Sequence, residues 1–195
     1  ECFVRFFCLG PLNSRFSIAA LQITDSAYVA HSEDLLYRVG YEQFKTLGGS
    51  DDFFYLVHSA GELDERNNTK NIKDRRIYID VLGKRVLTVN NQYAGNSVGL
   101  KKLALRLAIY KANKEDWLTE HMFVMGVRPE EKKRVTYFTG AFPSACGKTS
   151  TAMVPGQQIV GDDIAYIRHG EDGKAYAVNI EQGIFGIIED VNPVD

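Results

Sequence analysis

The chain has 195 residues, enough for one domain or one and a half. It is 45% hydrophobic with a mean hydropathy of -0.21, and no apolar run nears the ~20 residues of a membrane-spanning helix, so no membrane partner is expected. A net charge of -2 argues against a nucleic-acid surface.

Three cysteines, Cys2, Cys8 and Cys146, form an odd set without metal-type spacing, which suits reduced thiols in the cytoplasm. The opening residues carry no basic leader or cleavage site, so they do not read as a signal peptide. They are already strand-like, and the last residues read as a loop leading onward. An internal piece of a larger protein is therefore expected, a processed or trimmed chain being the alternative. Oligomeric state leaves no trace in the sequence.

Residues 2–9, rich in Phe and Val and closed by Gly10-Pro11, predict a buried strand, and residues 16–23 a second. Thr24-Asp25-Ser26 offers helix caps. Leu35, Leu36, Val39 and Phe44 recur at helical spacing, predicting a helix over 32–47 that ends at Gly48-Gly49. A short strand over 53–58 and a polar, flexible stretch over 61–75 follow. Residues 77–81 and 85–89 flank Leu82-Gly83-Lys84, a hairpin signal.

Residues 98–113 carry one apolar stripe, with Leu100, Leu103, Ala104, Leu107 and Ala108, and predict a helix. Strands are expected at 122–125, 135–139 and 159–160, a helix from Thr149, and a second hairpin around Gly170-Glu-Asp-Gly173. Hairpins outnumber helices, so the fold class is mixed α/β without a regular βαβ ladder.

The chemistry concentrates in Gly140-Ala-Phe-Pro-Ser-Ala-Cys-Gly-Lys-Thr149 and Gly161-Asp-Asp163. A Gly-Lys-Thr triplet between strand and helix holds phosphate: backbone N–H groups converge on its oxygens, Lys148 neutralises charge and Thr149 reaches a nucleotide-bound Mg²⁺. Asp162 and Asp163 lie where a metal-holding carboxylate belongs, a solvated turn being the alternative. The loop departs from G-x-x-x-x-G-K-[ST]: Phe142 stands at the first glycine position, Gly140 is the nearest upstream glycine and Pro143 stiffens the backbone.

Other residues are ambiguous on local grounds. His121 is more often a structural histidine, and Lys101 and Lys102 read as phosphate contacts or a solvated basic face. Residues 93–97 are turn-rich, either an anion-receiving loop or an ordinary helix entry. His31, His58 and His169 have no partner spacing. Cys146, ahead of a helix, has the setting of a reactive thiol, which phosphoryl transfer does not require.

Phe142-Pro-Ser-Ala-Cys-Gly-Lys-Thr149 and Val160-Gly-Asp-Asp-Ile164 resemble the two nucleotide motifs of GTP-dependent phosphoenolpyruvate carboxykinases, most closely the archaeal ones. The resemblance runs through Leu9-Gly-Pro11, Thr24-Asp-Ser-Ala-Tyr-Val29, Tyr93-Ala-Gly-Asn-Ser97, Gly99-Leu-Lys-Lys102, Trp117-Leu-Thr-Glu-His-Met122 and Asn179-Ile-Glu-Gln-Gly-Ile-Phe-Gly186, essentially the whole chain.

It implies a carboxy-lyase of gluconeogenesis that turns oxaloacetate and GTP into phosphoenolpyruvate, CO₂ and GDP. Residues 1–130 would belong to the substrate- and metal-binding domain, and 131–195 would begin the nucleotide domain. The family's Mn²⁺ ligands fall on Lys102, His121 and Asp163, reversing the local reading of the first two. A neutral Lys102 then requires Lys101, Lys148 and the cation to depress its pKa. Tyr93, Ala94, Gly95 and Ser144 match substrate contacts.

Ala145, Cys146, Gly147, Lys148, Thr149 and Ser150 match the nucleotide loop. Asp162 and Phe185 lie near the nucleotide, Thr149 holds Mg²⁺, and Cys146, Lys148 and Lys101 take catalytic roles. Ala94 replaces a usual glycine. The family's substrate-carboxylate arginine and its guanine clamp fall outside the sequence, so this segment by itself is expected to be inactive. The alternatives are a non-catalytic nucleotide- and Mn²⁺-binding piece, or a related carboxykinase that uses pyrophosphate or ATP.

Overall fold

The computed structural model describes residues 1–92, 100–143 and 146–184. It is mixed α/β and built on three sheets. The largest holds β1 (Phe3–Leu9), β2 (Ile18–Thr24), β3 (Arg38–Val39), β4 (Phe54–Ser59), β5 (Arg76–Asp80) and β6 (Arg85–Val89), in the order β3-β1-β2-β4-β6-β5. β1 and β2 form an antiparallel pair, β2, β4 and β6 run parallel, and β5 returns antiparallel as the predicted hairpin. The parallel centre explains why β2 reads as a nearly continuous apolar run: both its faces are covered.

The helix expected over 32–47 is two helices with a strand between them. α1 (Ala27–Leu36) is capped by Ser26, whose hydroxyl accepts the Val29 amide at 3.3 Å. The chain then joins β1 through β3 before α2 (Tyr41–Lys45) begins. Gly40 lies so close to the Phe7 backbone that a Cβ there would overlap it. The stretch over 61–75 is ordered locally by Asp64, which accepts the Arg66 and Asn68 amides at 2.9 and 2.8 Å.

From Lys101 the chain is helical: a π-helical segment, Leu103–Leu107, leads into α3 (Ala108–Glu115). Leu100, Leu103, Ala104, Leu107 and Ala108 are buried between two sheets. Phe54, Leu56 and Val86 of the large sheet lie in the same core as Trp117, Ile164, Tyr166 and Ile180. Tyr166 belongs to the second sheet, β7 (Leu118–Glu120), β11 (Ala165–His169) and β12 (Ala175–Asn179), ordered β12-β11-β7. The third sheet is β10 (Gln158–Gly161), β8 (Met122–Val127) and β9 (Thr136–Ala141), ordered β10-β8-β9, with α4 (Lys148–Ala152) against it. Among the described residues no helix is long and apolar enough to cross a membrane.

Candidate active site

β9 delivers the phosphate-type loop and α4 receives it. Gly147, at the α4 N-cap, has φ +87°, a left-handed conformation that favours glycine, and a Cβ there would meet nothing within 4 Å among the described residues. The requirement is therefore conformational rather than steric. Phe142 packs against Phe123, with ring centroids 5.6 Å apart, in a small core with Met125 and Ala152. Gly140 faces Phe123 across the β8–β9 ladder, and a Cβ there would overlap the Phe123 ring. The missing first glycine of the loop thus has a structural counterpart. Its place holds an aromatic anchor, and the displaced glycine makes room for the ring that anchor packs on.

The acidic pair is aimed by a bulge. β10 slips register between Ile159 and Gly161, which brings Gly161 against the Asn179 side chain with no room for a Cβ. Asp162 and Asp163 leave the strand from that point. Asp162, 5% exposed, accepts a hydrogen bond from the Thr149 hydroxyl at 3.0 Å.

The Asp163 carboxylate is the centre of the site. Its Oδ1 lies 2.5 Å from His121 Nε2 and accepts from Lys148 Nζ at 2.7 Å, while its Oδ2 pairs with Lys101 Nζ at 2.5 Å. Lys148 Nζ also reaches the Asp163 carbonyl at 3.1 Å. Burial alone would push this carboxyl up; hydrogen bonds from His121, Lys101 and Lys148 outweigh it and hold the group well below the usual carboxylate range. Four chain regions meet here: the π-helix entry, the β7–β8 bend, the start of α4 and the end of β10.

Lys102 makes no hydrogen bond or ion pair among the described residues; Lys101 is the lysine that reaches Asp163. Burial, then the charges of Arg106 and Lys101, hold the Lys102 amine below its ordinary pKa. Arg106, four residues on, takes the part expected of Lys148. Cys146 is exposed, its amide donating to the Pro143 carbonyl at 3.2 Å, and Ser150 is exposed on α4. Tyr93, Ala94, Gly95, Ser144, Ala145 and Phe185 lie outside the described residues.

Two acidic residues behind the site escaped the sequence reading. Glu181, 5% exposed, accepts from the Tyr37 hydroxyl at 3.0 Å; burial, then the Asp163 charge, raises its pKa to about 7. Glu33 is fully buried on α1 between Val29 and Leu36. Its signal was a carboxylate in register with the apolar stripe of a helix. His58 is structural: its ring nitrogens lie 2.6 Å from Thr24 Oγ1 and 2.7 Å from the Asn91 carbonyl.

The donor set suits a divalent cation of intermediate hardness, with one imidazole, one carboxylate and two nearby amines. No three His, Cys, Asp or Glu side chains among the described residues group closely enough to hold a metal. A metal held here by three side chains would therefore take a lysine amine as its third donor.

A family model described as the phosphoenolpyruvate carboxykinase N-terminal domain matches residues 1–113. Another, described as the phosphoenolpyruvate carboxykinase C-terminal P-loop domain, matches residues 117–195. A Pyrococcus horikoshii protein named phosphoenolpyruvate carboxykinase [GTP] is 62% identical over all of this chain and 31% of its own length. Proteins of the same name from Saccharolobus solfataricus and Chlamydia caviae are 50% and 43% identical, over 100% and 93% of this chain and 30% and 32% of their own. The chain spans about a third of the length of the curated relatives it matches. With both models met in order along its length, the chain belongs to the phosphoenolpyruvate carboxykinase family.

Proposed function

We propose that the chain forms the metal- and phosphate-holding part of a cytoplasmic GTP-dependent phosphoenolpyruvate carboxykinase. The overall reaction takes oxaloacetate and GTP to phosphoenolpyruvate, CO₂ and GDP. The observation that carries this reading is the convergence of His121, Lys101 and Lys148 on the Asp163 carboxylate, beside a Thr149–Asp162 pair at the start of α4. Residues 1–130 serve the substrate and metal, and residues 131–195 begin the nucleotide domain.

His121, Asp163 and the Lys102 amine would hold Mn²⁺, which when bound supplies Lewis acidity to the keto oxygen of oxaloacetate. The depressed pKa of Lys102 suits a neutral amine donor, and Lys101, paired with Asp163, suits a fixed positive charge. When the C–C bond breaks and CO₂ leaves, its electron pair becomes an enolate, whose negative charge Lys101 would stabilise. The enolate oxygen attacks the γ-phosphorus, and the bond to the GDP oxygen breaks. Lys148 and the first-turn amides of α4 meet the charge spread over the transferring group, and Thr149 with Asp162 would orient the Mg²⁺ that accompanies GTP. Tyr93, Ala94, Gly95 and Ser144 are assigned to substrate, and residues 145–150 with Phe185 to nucleotide.

The test is Mn²⁺ binding by paramagnetic relaxation together with turnover in the full-length protein. His121→Ala and Lys102→Ala are each expected to abolish high-affinity binding, and Lys101→Ala to lower turnover more than binding. Undiminished binding in both of the first two variants refutes the ligand set. Equal use of ATP and GTP by the wild type refutes the nucleotide assignment.

A further inference from the structure

Among the described residues, no side chain of its own segment caps the helix that carries Lys101 and Lys102. Leu100 occupies its N-cap position, because its carbonyl accepts the first helical bond, from the Ala104 amide, at 2.8 Å. A capping box would place a hydroxyl at this residue and a Glu or Gln three residues on to bond the cap amide. Here the two positions are Leu100 and Leu103, which can do neither.

The missing acceptor comes from α1. Glu33 Oε2 accepts the Leu100 amide at 3.0 Å, across 67 residues of sequence, and Glu33 is 0% exposed. On the far side of the lysines the π segment breaks the ordinary i to i+4 ladder. There the Tyr166 hydroxyl donates to the Ala104 carbonyl at 2.8 Å. The two lysines thus sit between two tertiary hydrogen bonds rather than within a self-supporting stretch of helix. A helix start free to fray or turn would move the Lys101 amine relative to Asp163, a displacement to which a site of this kind is sensitive.

We infer that Glu33 is a positioning residue for the site. By accepting the Leu100 amide it fixes the start of the helix that carries Lys102 and brings Lys101 to Asp163 and His121. The function of those lysines rests on the reading proposed above; the capping contact does not. Burial is the main cause that raises the Glu33 pKa, to about 8, so a neutral carboxyl is the form that Gln imitates.

The experiment compares Glu33→Gln, which keeps shape and acceptor, with Glu33→Leu, which keeps volume and loses the acceptor, in the full-length protein. Three quantities are read: peptide-resolved hydrogen exchange at Leu100, Mn²⁺ affinity, and kcat and KM for oxaloacetate. Glu33→Leu is expected to speed exchange at Leu100 by about tenfold. It should also weaken Mn²⁺ binding by about tenfold, as loss of an outer support does at other metal sites, and lower kcat. Glu33→Gln should restore all three.

If Glu33→Leu does not fold, Glu33→Asp, one methylene too short to reach the amide, is expected to show the same changes. Unchanged exchange at Leu100 overturns the capping contact. Faster exchange with unchanged Mn²⁺ affinity and kcat overturns the positioning role. A wild-type protein that fails to bind Mn²⁺ overturns the metal reading instead, and the exchange arm still decides the cap.

Discussion

The ring of Phe142 meets that of Phe123 edge-on, 5.6 Å between centroids and 78° between planes. This contact ties the phosphate loop to β8, and Gly140 makes room for it opposite Phe123. Gly140→Ala should cost about 1–3 kcal/mol, the usual range for overpacking. Phe142→Ala should cost a similar amount through lost burial and the aromatic pair. In a double-mutant cycle, Phe123→Leu should recover part of the Gly140→Ala loss, since it removes the atoms in the way. Strictly additive urea-unfolding energies would show that the ring and the glycine are not coupled.

The pH dependence of stability should carry the mark of Glu33. Burial, opposed by the Leu100 amide and reinforced by the Glu181 and Asp34 charges, raises its folded pKa to about 8 from an ordinary 4.5. Between those values the folded chain keeps a proton that the unfolded chain has released. Stability therefore falls as pH rises through this window, with a limiting slope of ~1.4 kcal/mol per pH unit. Glu33→Gln cannot titrate, so with chelator present its Tm should drop less than the wild type's between pH 5 and pH 8. Parallel Tm curves for the two proteins would mean that Glu33 titrates normally. Asp163 acts in the opposite sense: held low, it stabilises above its ordinary 3.8, and that contribution disappears as pH falls.

How far the sequence could be read depended on whether the deciding contact was local. The hairpin at Leu82-Gly83-Lys84 was legible because its turn closes on itself, with Asp80 accepting the Gly83 amide at 2.8 Å. The split of 32–47 was not, because β3 exists only by pairing with β1, with Val39 opposite Phe7. A helical period over Leu35, Leu36 and Phe44 says nothing about that partner.

The site divides in the same way. Lys148, Thr149, Asp162 and Asp163 could be read from spacing within one strand–loop–helix segment. Lys102 and His121 were assigned through family resemblance, and Glu33 and Glu181 were missed, because an acid on an amphipathic pattern reads as solvated until packing buries it.

The three thiols should separate by exposure. Cys2 and Cys146 are exposed, whereas Cys8 is buried and its thiol pKa is raised, chiefly by burial. In the full-length protein, a thiol reagent followed by peptide mapping should therefore modify Cys2 and Cys146 fast and Cys8 slowly in the native state, and all three fast in denaturant. GTP should slow only one of the fast pair, Cys146, because it alone lies in the phosphate loop. Protection of Cys2 instead, identified by peptide mapping, would place the nucleotide elsewhere.

Tyr166 tests the π segment directly. Its hydroxyl donates to the Ala104 carbonyl at 2.8 Å in a fully buried setting, where Thr119 Oγ1 approaches the same oxygen at 3.5 Å. Tyr166→Phe keeps the ring that packs on Trp117, with centroids 4.9 Å apart, and removes only the donor. The cost should be about 1–3 kcal/mol, that of a buried acceptor left short of a partner. If that hydrogen bond holds the widened turn open, the variant should also relax toward a regular α-helix. That would rotate Lys101 and Lys102 relative to Asp163 and lower turnover beyond what the stability loss explains. Full turnover in a folded Tyr166→Phe protein would show that the turn is held by the packing of Leu103, Ala104 and Leu107, with the hydroxyl incidental.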